Sequence, residues 1–597
     1  MAMRLGPGPV FAFEWLTRSR RWQGYALRVL FVLALLAGLG LIWRSTTQQN
    51  QYLTTRQQMV QAGEAFFTTM RITQLALVLL AAPAATAGAI CLDKSRGTLA
   101  HVMVTELTDG EVVLGKLGAR LVPVLNLIAC ALPVSALGTL LGGIDPVQLS
   151  ESLLIACGLA LLGCSLALAL SVWMSKAHEV MLVVFAVWVI WLMALPVCYM
   201  ITPGNWAPRW LEVSNPFWLS LAPSNVPGQT SMIEPVAFFL SCVLLSAGLA
   251  ALSVRKVRPV YLHQSGRTPR PVRDSKLAAW YRRQVRWWPG PSLDSNPVLW
   301  REWHRNRPSK ATRVVWMLYI ALTSVFSLKV IGDYQGSMAG ARPDEMAALL
   351  NAFQVTIGLL LVSASAGTVL SEERVRGSLD VLISTPLTTG SIVRGKWWGS
   401  FRKVPWLAFW PTLVTYAVLP PNPPDWMVLL LYLTPLLIIA QGATLAGLGL
   451  ALATWISRTG RAVTWTISAL VASVIGWPVI GFMLVGSEGR AEAKVLAFVM
   501  GSPFYNAAMP TVAMDVQNRG GSQHGMVVGV YYGMIGWTIG YALLALGLFL
   551  ATLWTFDRRL GRTPDRPGLP GPRPEPKFRA RRVAKPARSE ARVGELH

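Results

Sequence analysis

Long apolar runs separated by short polar breaks recur from Tyr25 to Leu553, and they leave few ways for this chain to fold. About twelve can be marked, each of roughly 18 to 25 residues and long enough for a helix to cross a ~30 Å hydrocarbon core. In the first half they lie near 25–43, 71–91, 121–141 and 152–173, with a fifth ending near Met200 and a sixth near 235–254. In the second half they lie near 312–331, 347–370, 404–419, 427–456, 462–485 and 525–553. Charged residues make up only 14 % of the chain, against about 25 % in an ordinary soluble domain. The expectation is an all-α polytopic membrane protein.

Charge then orients it. The formal net charge is +25. With the N-terminus in the cytoplasm, most of the 54 Lys and Arg fall on cytoplasmic segments, the positive-inside pattern. The basic excess is therefore assigned to topology and to anionic lipid headgroups rather than to nucleic acid. Both termini are expected in the cytoplasm of a cell (plasma or inner) membrane. The first apolar run is too long for a signal-peptide core and is read as a retained span. The six cysteines contain no CxxC pair and the six histidines no metal-ligand spacing, so neither metal nor cofactor is expected.

Between the second and third spans of each half lies a polar stretch, and the two stretches are copies. Arg96-Gly97-Thr98-Leu99 matches Arg376-Gly377-Ser378-Leu379. In the same gap-free register Thr105, Leu107, Thr108, Gly110, Val113, Gly115 and Lys116 match Thr385, Leu387, Thr388, Gly390, Val393, Gly395 and Lys396. A shared register this long implies two related halves. Each half also opens alike: Pro9, Val10, Glu14 and Trp15 match Pro297, Val298, Glu302 and Trp303. Apolar and aromatic residues alternate there with charges at helical spacing, which suits a short helix lying in the membrane interface.

Leu379, Leu382 and Ile383, like Leu99, Val102 and Met103, fall at i, i+3 and i+4 and predict a short amphipathic helix. Glu372 and Glu373 place negative charge near its N-terminus. Pro386 disfavours helix at Thr385, and Thr388 or Thr389 can cap the helix that follows. The runs Gly110–Lys116 and Gly390–Lys396 both fit G-x-x-x-x-G-K. Leu117 and Trp397 stand where a P-loop needs Ser or Thr, and no strand precedes, so ATP binding by this chain is excluded. Arg28, Arg71, Arg120, Glu151, Glu179, Glu234, Arg313 and Lys329 are read as lying near span ends. With no acid at a midplane, an ion-coupled carrier is disfavoured.

Glu-Glu-x-x-Arg-Gly-Ser-Leu, followed by Ser-Thr-Pro-Leu and Gly-Lys, resembles the cytoplasmic signature of type-2 ABC exporter permeases. The resemblance covers roughly residues 9 to 556. The first copy departs from it: Asp93-Lys94 stands for Glu373-Arg374, Leu92 for the preceding Glu, and Glu106 for Pro386. The resemblance implies a non-catalytic permease subunit, with separate ATP-binding-cassette ATPase subunits, two copies, docking on the coupling helices. It implies ATPase-coupling roles for Glu372, Glu373, Arg376, Gly377 and Leu379, and for Asp93, Arg96, Gly97 and Leu99. The expected organisation is a six-span module over 1–254, a basic cytoplasmic linker over 255–295, a second module over 296–556 and a disordered basic tail over 557–597. The competing reading is a membrane scaffold or assembly factor that keeps the fold without transport. No side-chain pattern chooses a substrate.

Overall fold

Within a bilayer each backbone N–H and C=O has to be satisfied by the segment itself, which leaves helices as the simplest way to cross. The computed structural model describes residues 8–20, 22–49, 54–140, 145–202, 206–225, 231–265, 291–304, 310–336, 344–370, 373–374, 377–420, 422–456, 459–478, 480–481, 492–518 and 524–562. Among these residues there is no strand.

The first half runs α1 (Pro9–Ser19), α2 (Trp22–Gln49), α3 (Thr55–Thr86), α4 (Cys91–Arg96), α5 (Thr98–Val104), α6 (Asp109–Leu140), α7 (Pro146–Trp173) and α8 (Ala177–Ile201). Two short helices, α9 (Arg209–Ser214) and α10 (Pro216–Asn225), precede α11 (Ile233–Ser265). The second half repeats the order: α12 (Pro297–His304), α13 (Lys310–Gly336), α14 (Asp344–Ala366), α15 (Ser378–Ile383), α16 (Thr389–Phe401), α17 (Val404–Ala417) and α18 (Asp425–Trp455). It ends with α19 (Thr459–Val471) and its π turn over Ala472–Gly476, then α20 (Glu492–Val499), α21 (Pro503–Asn518) and α22 (His524–Leu560).

Nine helices among the described residues are long and apolar enough to cross a membrane. The three other expected spans fall on α2, α17 and α19. The apolar part of α2 is Gly24–Gly40. α17 has 14 residues, and α19 has 13 before its π turn carries the helical stretch on to residue 478, whereas an unbroken crossing helix takes about 20. Their shortness has local causes. Pro405 sits in the first turn of α17, where its missing N–H is tolerated but the preceding helix cannot run on. At the end of α19 the ladder slips into the π turn, the usual signature of a bulge.

Arg71 stands where the apolar part of α3 begins, in a helix that starts earlier at Thr55, and it is only 2 % exposed. Its charge is not left bare: Nη1 donates to the Ser220 carbonyl, and the guanidinium lies 4.5 Å from the centre of the Phe67 ring.

The main core of the first half joins α3, α6, α7, α8 and α11 and takes in Val315, Leu361, Ala364, Val463 and Ile467 from the second half. The halves thus meet along α8, α13, α14 and α19. The greater part of the linker and the tail beyond residue 562 lie outside the described residues, so the expectation of disorder there concerns chain the structure does not describe.

Candidate functional site: a lysine clasp in each half

The matched polar stretch folds the same way twice. Gly97 and Gly377 adopt φ of +73° and +70°, a left-handed conformation that costs other L-residues roughly 1–2 kcal/mol. Each lets the chain turn sharply out of the preceding segment and start a short helix, α5 or α15. Thr98 Oγ1 donates to the Asp93 carbonyl at 3.3 Å, and Ser378 Oγ to the Glu373 carbonyl at 3.4 Å. Both helices stop where expected, with Thr105 and Thr385 each donating a hydroxyl to a carbonyl three residues back at 2.6 Å. Thr108 and Thr388 then cap the next helix, accepting from Glu111 N at 3.2 Å and Ser391 N at 3.3 Å. The first cap is a full box, because Glu111 Oε2 accepts from Thr108 N at 2.9 Å.

The interfacial helices lie across the start of the third span. A Cβ on Gly115 would meet Phe11 N at 3.1 Å and Val10 Cβ at 3.2 Å; one on Gly395 would meet Leu299 N at 2.9 Å and Val298 Cβ at 3.0 Å. The second glycine of each apparent P-loop is therefore a crossing point for α1 or α12. The lysine after it is an ion-pair hub. Lys116 Nζ lies 2.9 Å from Glu14 Oε1 and 2.6 Å from Asp93 Oδ2. Lys396 Nζ donates to Glu302 Oε1 and lies 2.7 Å from Glu373 Oε1. One lysine in each half thus ties the interfacial helix, the segment ahead of the coupling helix and the third span at a single point.

Neighbouring contacts repeat as well. Lys94 Nζ donates to the Val172 carbonyl and Arg374 Nη1 to the Ile456 carbonyl at 3.1 Å, both at the end of the fourth span. A cation there complements the negative end of that helix. Burial draws the Arg374 guanidinium below its ordinary pKa. The last long helix of each half also reaches back to one register position: Arg258 Nε lies 3.3 Å from Asp109 Oδ1, and Asp557 Oδ1 accepts from Thr389 Oγ1 at 2.7 Å. Arg562 adds donation to the carbonyls of Thr385, at 3.3 Å, and Leu387.

The expected coupling and interfacial residues are placed differently from one another. Glu14, Asp93, Glu302 and Glu373 meet in the clasps. Leu99 and Leu379 are buried, at 0 % and 3 % exposed, so they anchor the short helices from beneath. Trp15 stacks on Phe11, with ring centres 6.2 Å apart, and Trp303 carries Arg402 at 5.4 Å. Arg96 is exposed. Glu372 and Arg376 lie outside the described residues. The outward faces belong to residues that were not singled out: His101 and Val104 on α5, Asp380 and Val381 on α15, with Val104 88 % and Val381 67 % exposed. Lys116 and Lys396 were matched in the repeat but not read as functional. The available signal was that opposite charges at three register positions, 14/302, 93/373 and 116/396, persist together in both copies.

Among the described residues no group of three His, Cys, Asp or Glu side chains is placed to hold a metal ion. Residues 9–226 match the model of the family described as ABC-2 family transporter protein. That match lies within the first half, which is thus similar to the ABC-2 type transporter permeases. A search of curated proteins found no match.

Proposed function

We propose that the chain supplies both permease modules of an ATP-binding-cassette exporter, fused in one polypeptide, with ATP hydrolysis done by two separate ATPase subunits. The observation that carries this reading is the repeated clasp. The second half lies outside the matched region, yet it holds Lys396 between Glu302 and Glu373 as the first holds Lys116 between Glu14 and Asp93. The partner ATPases dock from the cytoplasm on the outward faces of α5 and α15. Closure of the ATPases moves these helices, and the lysine passes the movement to the interfacial helix and the third span together. Each clasp acts as one body because separation would leave its buried lysine uncompensated.

Transport is favoured over a scaffold role because the divergent first copy keeps the contacts of the second. Asp93 and Lys94 make the same bonds as Glu373 and Arg374. Purification of the tagged chain in gentle detergent, with mass spectrometry and an ATPase assay, tests the reading. A stoichiometric soluble ATPase, lost on substituting His101 and Val381, is the expected result. A chain that elutes folded and alone would point to the scaffold.

A further inference from the structure

Arg402 and Lys403 lie at the joint between α16 and α17, and in the register that pairs Lys116 with Lys396 they stand opposite Val122 and Pro123. The second half thus carries two cations here that the first lacks, and they are no part of the duplicated clasp. Lys403 comes directly before the apolar stretch that begins at Val404. Its Nζ lies 5.0 Å from the centre of the Trp316 ring, in the second turn of the apolar span Thr312–Asp333 of α13. Both residues therefore mark the edge of the hydrocarbon on the side of the clasps.

Positive charge gathers at this joint without an acceptor. Lys403 is half-buried, and among the described residues it makes neither a hydrogen bond nor an ion pair; the charge acting on it is that of Arg402, another cation. Arg402 donates Nη1 to the Trp303 carbonyl at 3.2 Å, and Glu302, the carboxylate beside it, is already held by Lys396. Arg313 is exposed at the start of α13, and the stretch from Arg305 to Ser309, outside the described residues, contains no acid. A half-buried ammonium with no counter-charge is costly, so an anion at this place is favoured. Snorkelling to water is the other way out, but this Nζ rests on a ring that packs into two apolar cores. Trp303, Trp398 and Trp406 are exposed around the joint, as in the aromatic belt at headgroup level. The anion abundant at that level is lipid phosphate.

We infer that Arg402 and Lys403 hold the phosphate of a resident phospholipid, seated at the joint of α16 and α17 in the second half alone. Such a lipid stays bound as part of the structure, whatever the chain exports and whether or not an ATPase docks. The purified full chain, stripped of lipid in detergent, is titrated with phosphatidylglycerol. Native mass spectrometry reads the first bound lipid, and thermal unfolding reads the stabilisation it brings. Diacylglycerol with the same chains and inorganic phosphate are run beside it, to separate chain, free anion and headgroup.

Phosphatidylglycerol should bind and stabilise where diacylglycerol and inorganic phosphate do not. Lys403→Gln and Arg402→Gln should each weaken the first bound lipid about tenfold, as the loss of a charge-assisted hydrogen bond does. Lys403→Arg should keep the lipid, and Arg255→Gln, on the exposed end of α11, should leave binding unchanged. Because Lys403 has no acceptor among the described residues, Lys403→Gln should hold the melting point of the lipid-free protein and lose only the rise that phosphatidylglycerol gives. Should both glutamine variants fold poorly, hydrogen exchange in the unaltered protein still tests the site: phosphatidylglycerol should slow exchange around residues 400–406 and not around 120–126. A loss of stability on Lys403→Gln that is equal with and without lipid would overturn the inference, since the ring contact alone accounts for that. So would unchanged lipid affinity in both glutamine variants, equal slowing at the two joints, or stabilisation by inorganic phosphate but not by phosphatidylglycerol.

Discussion

The two clasps share one geometry but not one environment. Lys396 is buried with both carboxylates: the side chains of Lys396, Glu302 and Glu373 are 2 %, 7 % and 9 % exposed. Arg301, half exposed, lies 3.5 Å from Glu373, and Arg402 adds a favourable charge beside Glu302. In the first half Asp93 is 26 % exposed, and Glu14 is shared with Arg120, whose Nη2 lies 2.9 Å from Glu14 Oε2. The first clasp is thus two cations against two anions near water, and the second sets a buried lysine between two buried carboxylates, with its further cations more exposed or farther off. Conserved contacts therefore need not carry equal energy, and the second half should be the more brittle.

The largest expected effect breaks that comparison directly. Lys396→Met leaves two carboxylates facing each other in a buried site and should cost about 3–5 kcal/mol, the range for removing one partner of a buried pair. Lys116→Met should cost less, since Arg120 still holds Glu14 and water reaches Asp93. Thermal unfolding of the two variants in one detergent checks the order, and equal losses would refute the contrast.

A smaller effect concerns the helix crossings. Gly395→Ala forces a methyl to 2.9 Å from backbone nitrogen and should cost roughly 1–3 kcal/mol, as overpacking does. At Gly115 the approach is 3.1 Å, so Gly115→Ala should cost less, offset by the better helix propensity of alanine. Limited proteolysis at α1 and α12 reads the loosening. Gly97→Ala and Gly377→Ala should each cost about 1–2 kcal/mol and cost alike, because only the left-handed backbone is at stake. A large difference between these two in thermal unfolding would show that the halves differ in more than their clasps. The smallest change is expected from Arg258→Ala, which removes a pair half open to solvent and should shift stability by less than about 1 kcal/mol. Arg562→Ala, which loses bonds to two carbonyls and to Thr389, should do more in the same assay.

Much of this could be read in the chain before any coordinates. The register from Arg96 to Lys116 and from Arg376 to Lys396 marked the duplication, and Pro386 and Thr388 marked the end of one helix and the cap of the next. Leu379 and Leu382, with Ile383 beside them, showed which face of α15 is buried. The clasp was less legible, because its three charges come from segments far apart in sequence and no local periodicity links Glu302 to Lys396. The lysine also sat inside an apparent phosphate-loop pattern, which could be rejected as such without revealing its use. The burial of Arg71 was not legible either, because its partners are the Phe67 ring in the polar start of α3 and the Ser220 carbonyl of a distant short helix. Lengths of α17 and α19 depended on a proline and a π turn that hydropathy does not see.

The account stands or falls on one chain forming the whole membrane part of the complex. Native mass spectrometry of the detergent-purified assembly measures this directly. The expected composition is one copy of the chain with two ATPase copies, the second ATPase being lost before the first when Lys396 is replaced by Met. Two copies of the chain in each complex, or a single ATPase bound to the unaltered chain, would contradict it.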